Sequence, residues 1–216
     1  MRPIRGEVDG SVVQGNEEDI VAQVTSLLEA HPAVRSARLI GSRERGTEVD
    51  LSDWDFAVTT ADFKALAEDL SMLVSPLEPL AQQWDPLSPR ANYMLMLRRL
   101  MKVDLIFFDQ PFQQRPPWEV GGDTLLAIDH HFWDWIVWLG AKDSAGKDEL
   151  VRDELAKMWG YLLDPMGVAE PPDGIEPAIE LYMAARRDSE KRFGVVVPRA
   201  VEQEVTSALR QSGYRC

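Results

Sequence analysis

Residues 39–60, LIGSRERGTEVDLSDWDFAVTT, decide how the rest of the chain is read. The stretch reads as a strand ending at Gly41-Ser42, a turn over residues 42–46, and a second strand carrying Asp53 and Asp55. Side chains alternate across a strand. Asp53 and Asp55 therefore share one face, and Trp54 and Phe56 share the other. Two close carboxylates are costly to ionise together unless a cation sits between them. A divalent ion such as Mg²⁺ answers that need and is held by a few carboxylates plus substrate phosphates. Gly41 lets backbone approach a phosphate closely, and Ser42 can donate a hydrogen bond to it. A third acid appears downstream in Lys102-Val103-Asp104-Leu105-Ile106-Phe107-Phe108, an apolar strand pattern. A lone carboxylate in such a run is expensive to bury. If the two strands are neighbours, Asp53, Asp55 and Asp104 form a three-carboxylate cluster. Such a cluster can hold two metal ions roughly 3.5–4 Å apart for in-line phosphoryl or nucleotidyl transfer.

Gly-Ser, ten intervening residues, Asp-x-Asp and a later apolar strand with one Asp follow one another in this chain. That order resembles the DNA polymerase β-type nucleotidyltransferase superfamily. The longer string GSRERGT…SDWDFAV is similar to its small bacterial members, the aminoglycoside (antibiotic) nucleotidyltransferase-like proteins. The resemblance covers about residues 35–110 and extends to the helical remainder only in layout. It implies Mg²⁺-dependent transfer of a nucleoside monophosphate, AMP from ATP, to a hydroxyl of a small acceptor such as an aminoglycoside. Asp53, Asp55 and Asp104 would be the metal ligands and catalytic residues. The nucleotide would be bound by Gly41, Ser42, Arg43, Ser52 and Lys142.

Several of these residues also have plainer readings. Arg43 and Arg45 suit phosphate, because the guanidinium fork matches its oxygens, but either can pair with Glu44 or Glu48. Ser52 can simply hold the turn before the Asp pair. Lys142, and the alternatives Lys147 and Lys157, read as surface lysines without the resemblance. Asp85 reads as a turn residue before Pro86. His130 and His131 sit in an aromatic stretch, where a histidine more often packs than reacts. The carboxylate that deprotonates the acceptor stays open among Asp104, Asp129 and Asp134.

The chain has 216 residues and is 45% hydrophobic, enough for one large domain or two small ones. Its net charge of −13 argues against a general nucleic-acid binder. The acidity suits a cationic small substrate, and it also serves solubility alone. The one cysteine, Cys216, allows no intramolecular disulfide and no multi-cysteine zinc site. The start MRPIR lacks an apolar leader core and no run reaches spanning length, so the expected location is cytoplasmic, with no membrane partner.

The expected fold is α+β: a small mixed sheet with flanking helices, followed by an antiparallel helical bundle. Residues 1–16 read as a lead-in, 17–112 as the nucleotidyltransferase domain, 113–122 as a linker and 123–216 as the helical domain. Helices are expected over 17–30, 61–74, 124–142, 148–163, 175–193 and 198–210, with Pro198 in the last one's first turn. Strands are expected over 34–40 and 80–84, with a hairpin of 92–97 and 103–108 around Arg98-Arg99. The tryptophans are expected in the bundle core, with one or two lining a pocket. Two other functions fit the same residues. One is a toxin–antitoxin-type enzyme modifying a protein or RNA; the other is a non-catalytic nucleotide-binding scaffold. A self-contained helical half favours a small acceptor over the first, and a costly acidic cluster argues against the second. The nucleotide, the acceptor and the oligomeric state are not legible from residues alone.

Overall fold

A computed structural model describes residues 17–111 and 117–215. The expected lead-in (1–16), residues 113–116 of the expected linker, and Cys216 lie outside the described residues. The order is α1 (Glu17–Glu29), β1 (Val34–Ile40), α2 (Gly41–Arg45), β2 (Trp54–Thr60), α3 (Phe63–Leu73), β3 (Ala81–Trp84), β4 (Arg90–Leu97) and β5 (Met101–Pro111). Then come α4 (Leu125–Ser144), α5 (Asp148–Met158), α6 (Ile175–Phe193) and α7 (Ala200–Gln211). The fold is α+β, with a five-stranded mixed sheet in the order β1-β2-β5-β4-β3.

Strand pairing follows from connection length. The β4–β5 hairpin is closed by Arg98–Leu100, where Arg99 and Leu100 take left-handed conformations. β3 pairs antiparallel with β4, and β1 antiparallel with β2. β2 and β5 are far apart in sequence and pair in parallel, in a register that sets Asp55 beside Asp104 and Trp54 beside Val103.

Alternation sorts the two faces of the sheet. Trp54, Phe56 and Val58 of β2 and Val103, Leu105 and Phe107 of β5 pack with Leu28 of α1 and Leu66 and Leu70 of α3. A fully buried side chain such as Phe56 contributes about 1.5–3 kcal/mol of transfer free energy, so this face anchors both strands. The opposite face receives the helices. Ala81, Met94 and Met96 join Ile128, Phe132 and Ile136 of α4 and Val205 and Leu209 of α7 in a second core. The helical half thus shares its core with the sheet. α4 is its hub, touching α5, α6 and α7. Its burial on almost every side, from Ile128 to Ala141, explains its aromatic and apolar composition.

Local corrections have local causes. The expected turn at 42–46 is the short helix α2, closed by Gly46 in the left-handed region. β2 begins at Trp54, one residue after Asp53. α3 starts at Phe63, because Asp62 caps it by accepting the Ala65 N–H at 3.1 Å. The helix expected over 148–163 stops at Met158 and continues as a π-helical turn, Trp159–Leu163. α7 starts at Ala200, two residues beyond Pro198. No helix among the described residues is long and apolar enough to cross a membrane.

Candidate active site

The polar positions of β5 face α4. Alternation that sends Val103 and Leu105 to one core leaves Lys102 and Asp104 on the other face, together with Asp55 of β2 and Asn92 of β4. Asp53 approaches from the loop just before β2. That loop is pinned by Leu51, which packs on α4 at Gly140; a Cβ there would come within 2.7 Å of Leu51 Cδ1. One carboxylate oxygen from each of Asp53, Asp55 and Asp104 lies within 4.8 Å of the others. The three acids expected to converge do converge.

Lys102 sits among them. Its ammonium is 3.4 Å from Asp53 Oδ2 and 3.3 Å from Asp134 Oδ1 of α4, and it is paired directly with Asp104 Oδ2. Asn92 Nδ2 donates to the other Asp104 oxygen at 3.2 Å. Lys102 is 4% exposed, so this is a buried cation in a nest of acids. Burial works against its charge, but Asp104, Asp134 and Asp53 outweigh it and hold its pKa well above the usual lysine range.

One ammonium does not neutralise four carboxylates. Burial, reinforced by the charges of Asp53 and Asp104, pushes the Asp55 carboxyl up to about 7. Burial also pushes Asp134 up to about 8, against the pull of Lys102 and with the push of Asp104 and Asp85. Burial raises Asp104 as well. Asp53 moves the other way: burial raises it, but Lys102 and Lys142 hold it below its ordinary value. An all-oxygen, net-negative donor set of this kind suits a hard divalent cation, and Asp53, Asp55 and Asp104 are the residues that would hold one.

A pH dependence follows. A carboxyl whose folded pKa is raised contributes its stability fully below the unfolded value, and loses it as pH rises through the folded pKa. For Asp55 and Asp134 the window opens near 3.8 and closes around 7 to 8. The melting temperature in chelator is expected to fall as pH rises from about 5 to about 8, and added Mg²⁺ to reverse much of that fall. Scanning calorimetry across that range checks it; a flat or rising profile in chelator contradicts it.

The cluster lies at the floor of a cavity of about 550 Å³ between the sheet and the helices. α4 lines it with His131, Asp134, Trp135 and Trp138, and the far wall carries Glu154, Lys157 and Tyr161. Lys157 is ion-paired with Glu154. Of the tryptophans, Trp133 is fully buried in the core, whereas Trp135 and Trp138 face the cavity.

No family model matches this chain, and no curated protein matches it. Among solved structures it is similar to an aminoglycoside 6-adenyltransferase from Bacillus subtilis. That alignment covers 90% of this chain and 97% of the other, at 10% identity and a TM-score of 0.32. A likeness that slight carries no argument, so the reading of the site rests on its own geometry.

The remaining sequence candidates divide. Gly41 abuts Asp55: its φ is +83°, and a Cβ there would stand 2.2 Å from Asp55 Oδ2. Arg43 donates through Nε and Nη2 to the Ser52 carbonyl at 3.0 and 2.8 Å, and its guanidinium lies 4.1 Å from the Trp54 ring centre. Ser52 Oγ accepts the Val49 N–H at 2.9 Å. Arg43 and Ser52 thus brace the loop that delivers Asp53. The Ser42 carbonyl accepts the Thr47 N–H within the same turn. Gly41, Ser42, Arg43 and Ser52 do not line the cavity. Lys142 rests 4.8 Å over Trp138, and its charge reaches Asp53 and Asp55.

Of the open general-base candidates, Asp129 is excluded. It is fully buried and accepts from Tyr182 (2.6 Å), Arg186 (2.7 Å) and Trp133 (3.2 Å), outside the cavity. Asp85 does hold its turn, accepting the Leu87 and Ser88 N–H groups, yet it also lines the cavity. His131 is buried between the Trp118 and Trp135 rings, 3.8 Å from Asp85, and burial keeps its pKa low. Burial lowers His130 too. Lys102 and Asn92 are the site residues missed from sequence. The Lys-x-Asp spacing on β5 was the available signal, since it puts both side chains on one face.

Proposed function

We propose that this chain is a Mg²⁺-dependent nucleotidyltransferase that moves a nucleoside monophosphate, AMP from ATP, to a hydroxyl of a small acceptor and releases pyrophosphate. The observation that carries this reading is the convergence of Asp53, Asp55 and Asp104 within 4.8 Å at the floor of a cavity large enough for small ligands. Acid residues outnumber lysines along that cavity, and two indole rings line it, which favours a cationic acceptor of the aminoglycoside type.

Asp53, Asp55 and Asp104 would hold a divalent cation, which would supply neutralisation of the triphosphate charge and a more acidic acceptor hydroxyl. The chain's own residues orient and exclude. Asn92 fixes the Asp104 carboxylate by donating to Oδ1. Arg43 and Ser52 hold the loop carrying Asp53. Asp134 is the carboxylate that α4 adds to the cavity beside Lys102. Its pKa, raised by burial to about 8, leaves it ionised and able to take the acceptor's proton mainly above that pH. Lys142 stands within electrostatic reach of Asp53 and Asp55, where its charge would add to the attraction for a triphosphate.

The test is a pyrophosphate-release screen with Mg-ATP against aminoglycosides, other hydroxyl-bearing amines and acceptor-free controls. Acceptor-dependent release with a mass gain of one AMP is expected. Nucleotide binding with no turnover on any acceptor overturns the enzymatic reading in favour of a scaffold.

Gly41→Ala probes the turn beside the acids. Alanine at φ +83° costs about 1–2 kcal/mol, which lowers the melting temperature by a few degrees. The new Cβ would collide with the Asp55 carboxylate, so that carboxylate or the turn itself must shift. Turnover is therefore expected to fall about 100-fold, more than the stability loss alone explains. A folded variant with wild-type turnover would show that Asp55 is not needed where it stands.

A further inference from the structure

The acidic cluster already contains a cation, the Lys102 ammonium. It lies 3.4 Å from Asp53 and is paired with Asp104, two of the three residues assigned to the divalent ion. It is sealed on the helical side by Asp134 at 3.3 Å and has almost no access to solvent. A second cation arriving among the same oxygens meets repulsion at short range in a medium of low effective dielectric. It must also break a buried, desolvated ion pair to gain those oxygens.

We infer that Lys102 is an intramolecular competitor for the cation site, a positioning residue that keeps Asp53 and Asp104 collected until a divalent ion arrives with the nucleotide. The inference rests on the function proposed above. Its consequence is order: the free cation binds weakly, and the triphosphate, which brings ligands of its own, makes the exchange favourable. Between turnovers the ammonium holds the acids at their spacing, so the site does not open by mutual repulsion.

Lys142 supplies the internal control. Its positive charge also acts on Asp53 and Asp55, but it rests on Trp138 rather than among the carboxylates. Lys142 reports what positive charge does from outside the cluster, whereas Lys102 acts from among the carboxylate oxygens, so its loss is expected to matter far more.

The experiment titrates Mn²⁺ into the full chain without nucleotide, reading free Mn²⁺ by electron paramagnetic resonance. Lys102→Met is expected to tighten the Kd at least about tenfold relative to wild type, whereas Lys142→Met shifts it by less than about threefold. An unchanged or weakened Kd in Lys102→Met, or equal shifts in both variants, overturns the inference. Lys102→Gln, which retains a donor to Asp104, repeats the measurement with less disturbance. If either Lys102 variant folds only when a cation is supplied, Mn²⁺ must restore a cooperative melt at concentrations where Na⁺ does not. Failure to restore it overturns the inference too. A further arm adds ATP bearing an α,β-methylene bridge. If wild type and Lys102→Met both fail to bind Mn²⁺ even then, the metal-dependent function itself falls.

Discussion

Asp53→Asn is expected to reduce nucleotidyl transfer by about 10³-fold or more, equivalent to about 4 kcal/mol of barrier, while leaving the fold intact. The substitution keeps the size of the side chain and removes one charge from the cluster. Asp53 sits in a loop held by Leu51 on α4 and by Arg43 on the Ser52 carbonyl, and neither contact uses its carboxylate. Lys102 retains Asp104 and Asp134, so no buried charge is left without a partner. The melting temperature should therefore stay within a few degrees of wild type. Pyrophosphate release and circular dichroism on the same sample separate the two effects. Near-normal turnover in a folded Asp53→Asn variant would remove the metal assignment.

The largest loss of stability is expected far from the site, from Arg186→Met. Arg186 is 1% exposed, donates to Asp129 at 2.7 Å, pairs with Glu202 and lies over the Tyr182 ring. Asp129 is fully buried. Removing the guanidinium leaves that carboxylate with only the Tyr182 and Trp133 donors. Breaking a buried pair from one side costs about 3–5 kcal/mol, because the remaining charge is uncompensated. For a chain of this length that lowers the melting temperature by on the order of 10 °C. Adding Asp129→Asn to Arg186→Met should recover part of the loss, and the double-mutant cycle measures the coupling. A single-variant loss under about 1 kcal/mol would show that the pair is not holding α4 against α6.

The acids of the site were legible because strands alternate. Asp55 lies on β2 and Asp53 two residues earlier, in the loop that enters it, near enough to reach the same cluster, and a lone carboxylate in a run as apolar as 103–108 demands a partner. What alternation leaves open is which strands are neighbours. The parallel register of Asp55 with Asp104 joins residues across three intervening elements, and nothing local encodes it. Lys102 was overlooked for a related reason. At the start of an apolar strand a lysine reads as a solvated end, and only the covering α4, with Asp134, makes it a buried ion. Asp129 and Asp134 are indistinguishable on paper, both acids on one aromatic helix. Their fates diverge because one turns toward Arg186, 57 residues on, and the other toward the cavity. Helix extents were readable wherever apolar spacing ran on, as in α6, whose limits match the expected 175–193. They failed by a few residues where a cap, a π-helical turn or a proline decided the end.

Anomalous diffraction from crystals grown with Mn²⁺ and ATP bearing an α,β-methylene bridge tests the central claim most directly. The account predicts a Mn²⁺ peak coordinated by Asp53, Asp55 and Asp104, with the Lys102 ammonium withdrawn from Asp53 and Asp104. A nucleotide bound with no metal among those three carboxylates, and Lys102 still seated between them, would contradict it.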